Sequence, residues 1–159
     1  MRINYTIEIA CKAEKVFSWI DEPEKAMRWQ KGVKNGEIIK ETPQRIGTTF
    51  KEEMEENGKS LIMFGEITNY IPQILISFHL ESKIHQVEVK YEVSGDQKKS
   101  KVSMESIINW KFPMNVISLF IGQKIKDKIY KQTESEFCEL KRLCENEPNN
   151  EITEVCPNK

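Results

Sequence analysis

The sequence has only two histidines, no Cys-x-x-Cys spacing among its four cysteines, and no excess of either charge: 24 Lys plus Arg stand against 25 Asp plus Glu. Each scarcity removes a class of function. Without ligand pairs at short spacing there is no basis for a structural zinc site. No Ser-His-Asp, Cys-His or phosphate-loop spacing occurs either. A net charge of -1 supplies no field to hold nucleic acid or acidic lipid. The longest apolar run, Val116 to Ile121 interrupted by Ser118, falls far short of the roughly 18 to 20 residues that cross a bilayer. The opening MRINYTIEI carries no signal-peptide core. The expectation is a cytoplasmic protein with reduced thiols, without metal or other cofactor, nucleic-acid partner or stable membrane insertion. Cys138 and Cys144, six positions apart on one helical stretch, point to different faces and cannot bridge each other.

What is present reads as one domain, since 159 residues suit a single core. Residues 1 to 144 carry the apolar patterning. From Glu145 to Lys159 there are four Glu, two Pro and only Ile152 and Val155 as large apolar side chains, so an acidic disordered tail is expected. Ile3, Tyr5, Ile7 and Ile9 alternate with polar residues, the period of a half-buried strand. Val16, Phe17 and Ile20 then fall at helical spacing, and Pro23 opens a second short helix that reaches Trp29 and stops at Gly32. From about Glu37 to Phe112 strands are punctuated by turns at Asn57-Gly58, Ser82-Lys83 and Gly95-Asp96, which makes an antiparallel meander. From Pro113 the period returns to helical, with Ile117, Ile121, Ile125, Ile129, Thr133, Phe137, Leu140 and Cys144 over about eight turns. Ser118 and Gly122 thin that helix, leaving room for a ligand or for closer packing on the sheet.

Residues paired across an antiparallel ladder share a face, so the hairpins can be tested against themselves. The first turn pairs Met54 with Leu61, Glu52 with Met63 and Phe50 with Gly65. The second pairs Leu80 with His85 and Phe78 with Val87. The third pairs Tyr91 with Ser100, Val89 with Val102 and Val87 with Met104, and the same face continues through Ser106, Ile108 and Trp110. The apolar sets agree across all three turns. Ile62 and Phe64 are sent outward, a patch that needs a cover or a partner, and a homodimer is one partner that suits it.

This order of elements, together with the segments VFSWIDEPEKAMRWQKGV, IGTTFKE, GEITNYIPQILISFHLES and VEVKYEVSG, resembles the START-like superfamily in its SRPBCC, polyketide cyclase/dehydrase-like branch. The resemblance rests on Val16-Phe17, Trp29 followed by Gly32-Val33, Gly47-Thr48-Thr49-Phe50 and Gly65-Glu66-Ile67. It implies an α+β helix-grip fold: a seven-stranded antiparallel sheet curved around a long C-terminal helix, with two short helices between strands 1 and 2. It also implies a cavity between sheet and helix that takes an apolar small molecule. The inward set then supplies the candidate lining: Phe50, Met54, Met63, Phe78, Val87, Tyr91, Met104, Ser106, Ile108, Trp110, Ile117 and Ile121, with Trp29 and Arg28 near the mouth. The same residues would serve equally as packed core if no cavity exists. The glycine-rich loop of the plant pathogenesis-related members is not matched by Glu56-Asn57-Gly58-Lys59. The iron triad of the ring-hydroxylating members has no counterpart, because the Ser82-Lys83 hairpin sends His79 and His85 to opposite faces.

Three polar residues on the inward face are the candidates for chemistry. Glu52, between Phe50 and Met54, would have a raised pKa and act as a base or anchor a ligand group; at the sheet rim it would sit in water or pair with a lysine. His85 has the intrinsic pKa for acid or base work, or is a hydrogen-bonded hairpin end. Tyr91 offers a hydroxyl to a ligand or to a protein partner. Three functions follow: a carrier or sensor of a lipid, polyketide or aromatic metabolite; a cyclase or dehydratase using Glu52 or His85; or an interaction module docking through Ile62 and Phe64.

Overall fold

A computed structural model of the chain describes residues 1 to 56 and 58 to 146. Strand β1 (Arg2–Ile9) is followed by the short helices α1 (Ala13–Asp21) and α2 (Pro23–Trp29). Six strands come next: β2 (Val33–Lys40), β3 (Thr49–Glu56), β4 (Lys59–Ile71), β5 (Leu75–Glu81), β6 (His85–Gly95) and β7 (Ser100–Trp110). The long helix α3 (Met114–Asn146) closes the order. All seven strands form one antiparallel sheet in the order β1-β7-β6-β5-β4-β3-β2, so a meander is completed by β1 pairing along β7. This is the expected α+β helix-grip architecture. The acidic tail expected after residue 144 lies outside the described residues from 147 onward, and Glu145 and Asn146 continue α3.

The β3–β4 register is the expected one, Phe50 opposite Gly65 and Glu52 opposite Met63. The two later hairpins differ from expectation, and hydroxyl and carboxylate caps explain why. Ser82 accepts hydrogen bonds on its Oγ from the backbone N–H of Ile84 (3.2 Å) and His85 (3.1 Å), which moves the turn one residue along, so Leu80 pairs Val87 and Phe78 pairs Val89. Asp96 Oδ1 accepts from the N–H of Lys98 (2.7 Å) and Lys99 (2.9 Å), and this wider loop pairs Gly95 with Ser100, Tyr91 with Met104 and Val87 with Ile108. Those two backbone bonds hold the Asp96 carboxyl below the usual carboxylate range. Gly95, at φ +149°, must be glycine: a Cβ there would stand 2.3 Å from the Lys99 carbonyl oxygen.

The core is lopsided. Val16, Phe17, Trp19 and Ile20 of α1, Trp29 of α2 and Phe137, Leu140, Leu143 and Cys144 of α3 pack with Ile9, Ile76, Val93 and Val102 of the sheet. Trp29 is the keystone, donating Nε1–H to the Trp19 carbonyl (2.9 Å) with its ring edge-on to Tyr91 and Phe137. Farther along the same sheet face, Met63, Val87 and Ile108 form a second, small cluster. Ile129 of α3 packs against it, but the first turns of α3 do not close over it: Leu119 is 82% exposed and Phe120 84%.

Candidate functional site

Between the two clusters lies a cavity of about 840 Å³, within the range of small-molecule sites. Its floor follows from the register. Glu52 lies beside Met63 in mid-strand, and His85 beside Trp110 at the ends of β6 and β7; Phe50, Gly65, Leu80, Val87 and Ile108 form the next row; Ile67, Phe78, Val89 and Ser106 the one after. Gly65 makes this floor possible. The Phe50 ring lies over it, and a Cβ at that position would be 2.2 Å from Phe50 Cζ. Phe50, Phe78 and Tyr91 then continue edge-on, with ring centroids 5.7 and 6.3 Å apart. Ile125, Ile129, Thr133 and Phe137 of α3 form the roof, while the exposed lining residues Glu24, Glu37 and Ile38 mark an opening between α2 and β2.

Phe50, Glu52, Met54, Met63, Phe78, His85, Val87, Tyr91, Met104, Ser106, Ile108 and Trp110 all border this space. Four of the sequence candidates do not. Trp29 is fully buried behind Tyr91 and Phe137 as core rather than at a mouth, and Arg28 beside it lies over the Trp19 ring, 4.8 Å from its centroid. Ile117 and Ile121 are each 43% exposed, because the first half of α3 is not packed on the sheet. Ser118 and Gly122 are not among the residues that border the cavity, and nothing lies within 4 Å of a Cβ built at Gly122, so no close packing occurs at that glycine among the described residues. Ile62 and Phe64 are exposed on the opposite sheet face, as their register requires.

The central polar groups of the cavity come from β3, β6 and α3, with Gln30 just past the end of α2. Glu52 of β3 has no hydrogen-bond partner among the described residues, and desolvation pushes its carboxyl up to about 7. Tyr91 of β6 is buried, and burial, reinforced by the charges of Glu136 and Glu52, pushes its hydroxyl up; the Gln30 side chain, hydrogen-bonded to it, acts in the other direction. Glu136 of α3 is raised by burial, offset in part by hydrogen bonds from the Gln132 side chain and from the backbone of Gly32 and Lys31. Gln132 Nε2 donates to Glu136 Oε1 at 3.0 Å. Gln30, Gln132 and Glu136 escaped the sequence reading. The spacing of Gln132 and Glu136, one turn apart and flanking the Ile129-Thr133-Phe137 stripe, was the signal available for two of them.

His85 borders the cavity but is committed to the hairpin: its Nδ1 lies 2.9 Å from Ser82 Oγ, and its ring tilts against Trp110 at 5.1 Å. Trp110 Nε1–H is buried without a partner among the described residues, a donor on the cavity wall that an acceptor on a ligand would satisfy. His79 is on the outer face, paired with Glu88. Arg45 borders the cavity through an ion pair with Asp21, which also accepts from the Tyr70 hydroxyl at 2.9 Å. Among the described residues no group of three or more His, Cys, Asp or Glu could hold a metal ion, and no helix is long and apolar enough to cross a membrane.

No protein-family profile and no curated protein sequence matches the chain. Solved structures do. A START superfamily protein from Mycobacterium smegmatis is 16% identical with a TM-score of 0.76, the match covering 91% of this chain and 97% of that one. Ara h 8.0201 is 13% identical with a TM-score of 0.66, over 91% and 97%. The Zhui aromatase/cyclase from Streptomyces sp. R1128 is 10% identical with a TM-score of 0.68, over 89% of each chain. The register, the helical grip and these superpositions, each over about nine-tenths of the chain, show that it has the helix-grip fold seen in these START-like structures.

Proposed function

We propose that the protein binds an apolar small molecule, a lipid, polyketide or aromatic metabolite, as a carrier or sensor. The cavity of about 840 Å³ between sheet and helix carries this reading. A wall of Phe, Met, Val and Ile gives up its poor contact with water when an apolar guest enters, and a few convergent polar groups orient that guest. The free Cys11, Cys138 and Cys144 fit a reducing compartment, for which the cytoplasm is our assignment. The test is native mass spectrometry of the freshly purified protein together with titration by the neutral apolar dye N-phenyl-1-naphthylamine. Saturable dye binding, quenching Trp fluorescence in the wild type and less in Trp110→Phe, is expected. No saturable uptake of the dye and no co-purified compound would defeat the reading.

Glu52 and Tyr91 favour one second reading, a cyclase or dehydratase of the kind named for the aromatase/cyclase neighbour. A carboxyl raised to about 7 is matched to proton transfer near neutral pH. Its ionised form would take a proton from a carbon beside a carbonyl, while the Tyr91 hydroxyl, kept protonated by burial, would donate to the enolate oxygen. Glu52→Gln would then abolish turnover and spare binding. Normal turnover in that variant would remove Glu52 as the base.

A further inference from the structure

The chain is almost neutral overall, but its cavity is not. Glu52 enters from β3 and Glu136 from α3, and the Tyr91 hydroxyl feels both charges. Glu24, Glu37 and Glu55 stand where the space meets solvent. The lining contains no lysine, and its one guanidinium, Arg45, is already engaged by Asp21. The walls between the carboxylates are aromatic, Phe50, Phe78, Tyr91 and Phe137, whose ring faces carry negative quadrupole charge. Carboxylates and ring faces together attract a cation, and both repel an anion.

We propose that the cavity selects its guest by head-group charge, holding a protonated amine on an apolar or aromatic body between Glu52 and Glu136 against the rings of Phe50, Phe78 and Tyr91. This rests on the apolar-ligand reading above and narrows it from any hydrophobe to a cationic amphiphile. A fatty acid of the same length is disfavoured, because its carboxylate would meet Glu52 and Glu136, while the one guanidinium of the wall, Arg45, is paired with Asp21 and keeps only its buried Nε unsatisfied among the described residues. An alcohol ranks between the two, since it can donate to a carboxylate but brings no charge. The arrangement also explains how two carboxyl groups coexist in the cavity. Without a guest, burial favours their neutral forms, and a cation entering between them makes ionisation favourable.

The test uses one body with three heads. Dodecylamine, dodecanol and dodecanoate, each below its micelle concentration, compete with N-phenyl-1-naphthylamine on the full chain at neutral pH. The amine is expected to displace the dye at a concentration at least about tenfold lower than the carboxylate, with the alcohol between. Glu52→Gln and Glu136→Gln, with folding verified by thermal melting, should each weaken the amine about tenfold and leave the alcohol within about twofold. Dodecanoate binding as tightly as dodecylamine, or an unchanged ranking in both variants, would overturn the proposal and leave the apolar cavity standing. Failure of the dye itself to bind would instead remove the cavity reading, and this proposal with it.

Discussion

From Thr133 to Cys144, α3 buries Thr133, Phe137, Leu140, Leu143 and Cys144, whereas from Val116 to Ile121 its large side chains stand in solvent. Both stretches are apolar enough to pack. They differ in what faces them. The second half lies along β1 and meets α1 and α2, whose Trp19 and Trp29 fill the end of the curved sheet; opposite the first half no helix comes down to meet the strands. A helix grips only where something grips back, and the cavity occupies the stretch where α3 passes from held to unheld. The packed core and the cavity roof therefore use overlapping stretches of one rod, which share Thr133 and Phe137.

The sharpest way to break this comparison is to truncate one aromatic in each half. Phe137→Ala removes a ring that touches Tyr5, Trp29 and Tyr91 and should cost about 3 to 5 kcal/mol by denaturant titration. Phe120→Ala, the same change at a ring 84% exposed, should stay within about 0.5 kcal/mol. Equal losses would show that the first half is packed in solution and that the asymmetry is false.

The next effect belongs to the cavity floor. Unfolded, Glu52 loses its proton near 4.5; folded, it keeps it up to about 7. Between those values the folded state binds the extra proton, so its contribution to stability is fully present below about 4.5 and is lost as pH rises through about 7. The shift corresponds to on the order of 3 kcal/mol. Glu52→Gln should flatten this decline, read as Tm against pH. Glu8, Glu81 and Glu139, held below the usual carboxylate range by Lys99, Lys111 and Arg142 respectively, act in the opposite direction and only at lower pH. A wild-type profile that does not fall between pH 4.5 and 7 would mean that the Glu52 carboxyl is wet.

Why the floor could be read from the sequence and the roof could not is a matter of periodicity. The hairpins at Ser82 and Gly95 are offset from the expected pairing by two and by four residues, but an even offset returns every side chain to the same face. Glu52, Tyr91 and Trp110 were thus placed inward although two of three registers were wrong in detail. Helical periodicity is weaker evidence. It groups Ile117 and Ile121 with Ile125 and Ile129, but it says nothing of whether a partner faces them. Glu136 depends on the backbone of Lys31 and Gly32 arriving beside α3, and Trp29 on α2 folding over Tyr91; no local pattern records either.

Filling the roof sharpens the comparison at the level of binding. Ile129, which lines the cavity, and Ile121, two turns earlier, are the same residue on the same stripe. Ile129→Trp should weaken uptake of N-phenyl-1-naphthylamine at least about tenfold while the protein stays folded. Ile121→Trp should leave it unchanged. A matched loss in both would place the guest along the first half instead.

The smallest effect has the most diagnostic sign. Glycine inside a helix costs about 1 kcal/mol relative to alanine, so it persists where something must come close or where nothing selects against it. Gly122 has open space on every side of a built Cβ, unlike Gly65, where Phe50 occupies that position. Gly122→Ala should therefore raise stability by about 0.5 to 1 kcal/mol through helix propensity alone, seen as a small rise in the denaturation midpoint at unchanged slope. Gly65→Ala should lower it, because the Phe50 ring has to move. If Gly122→Ala destabilises as well, a neighbour packs against that turn, and the first half of α3 is gripped after all.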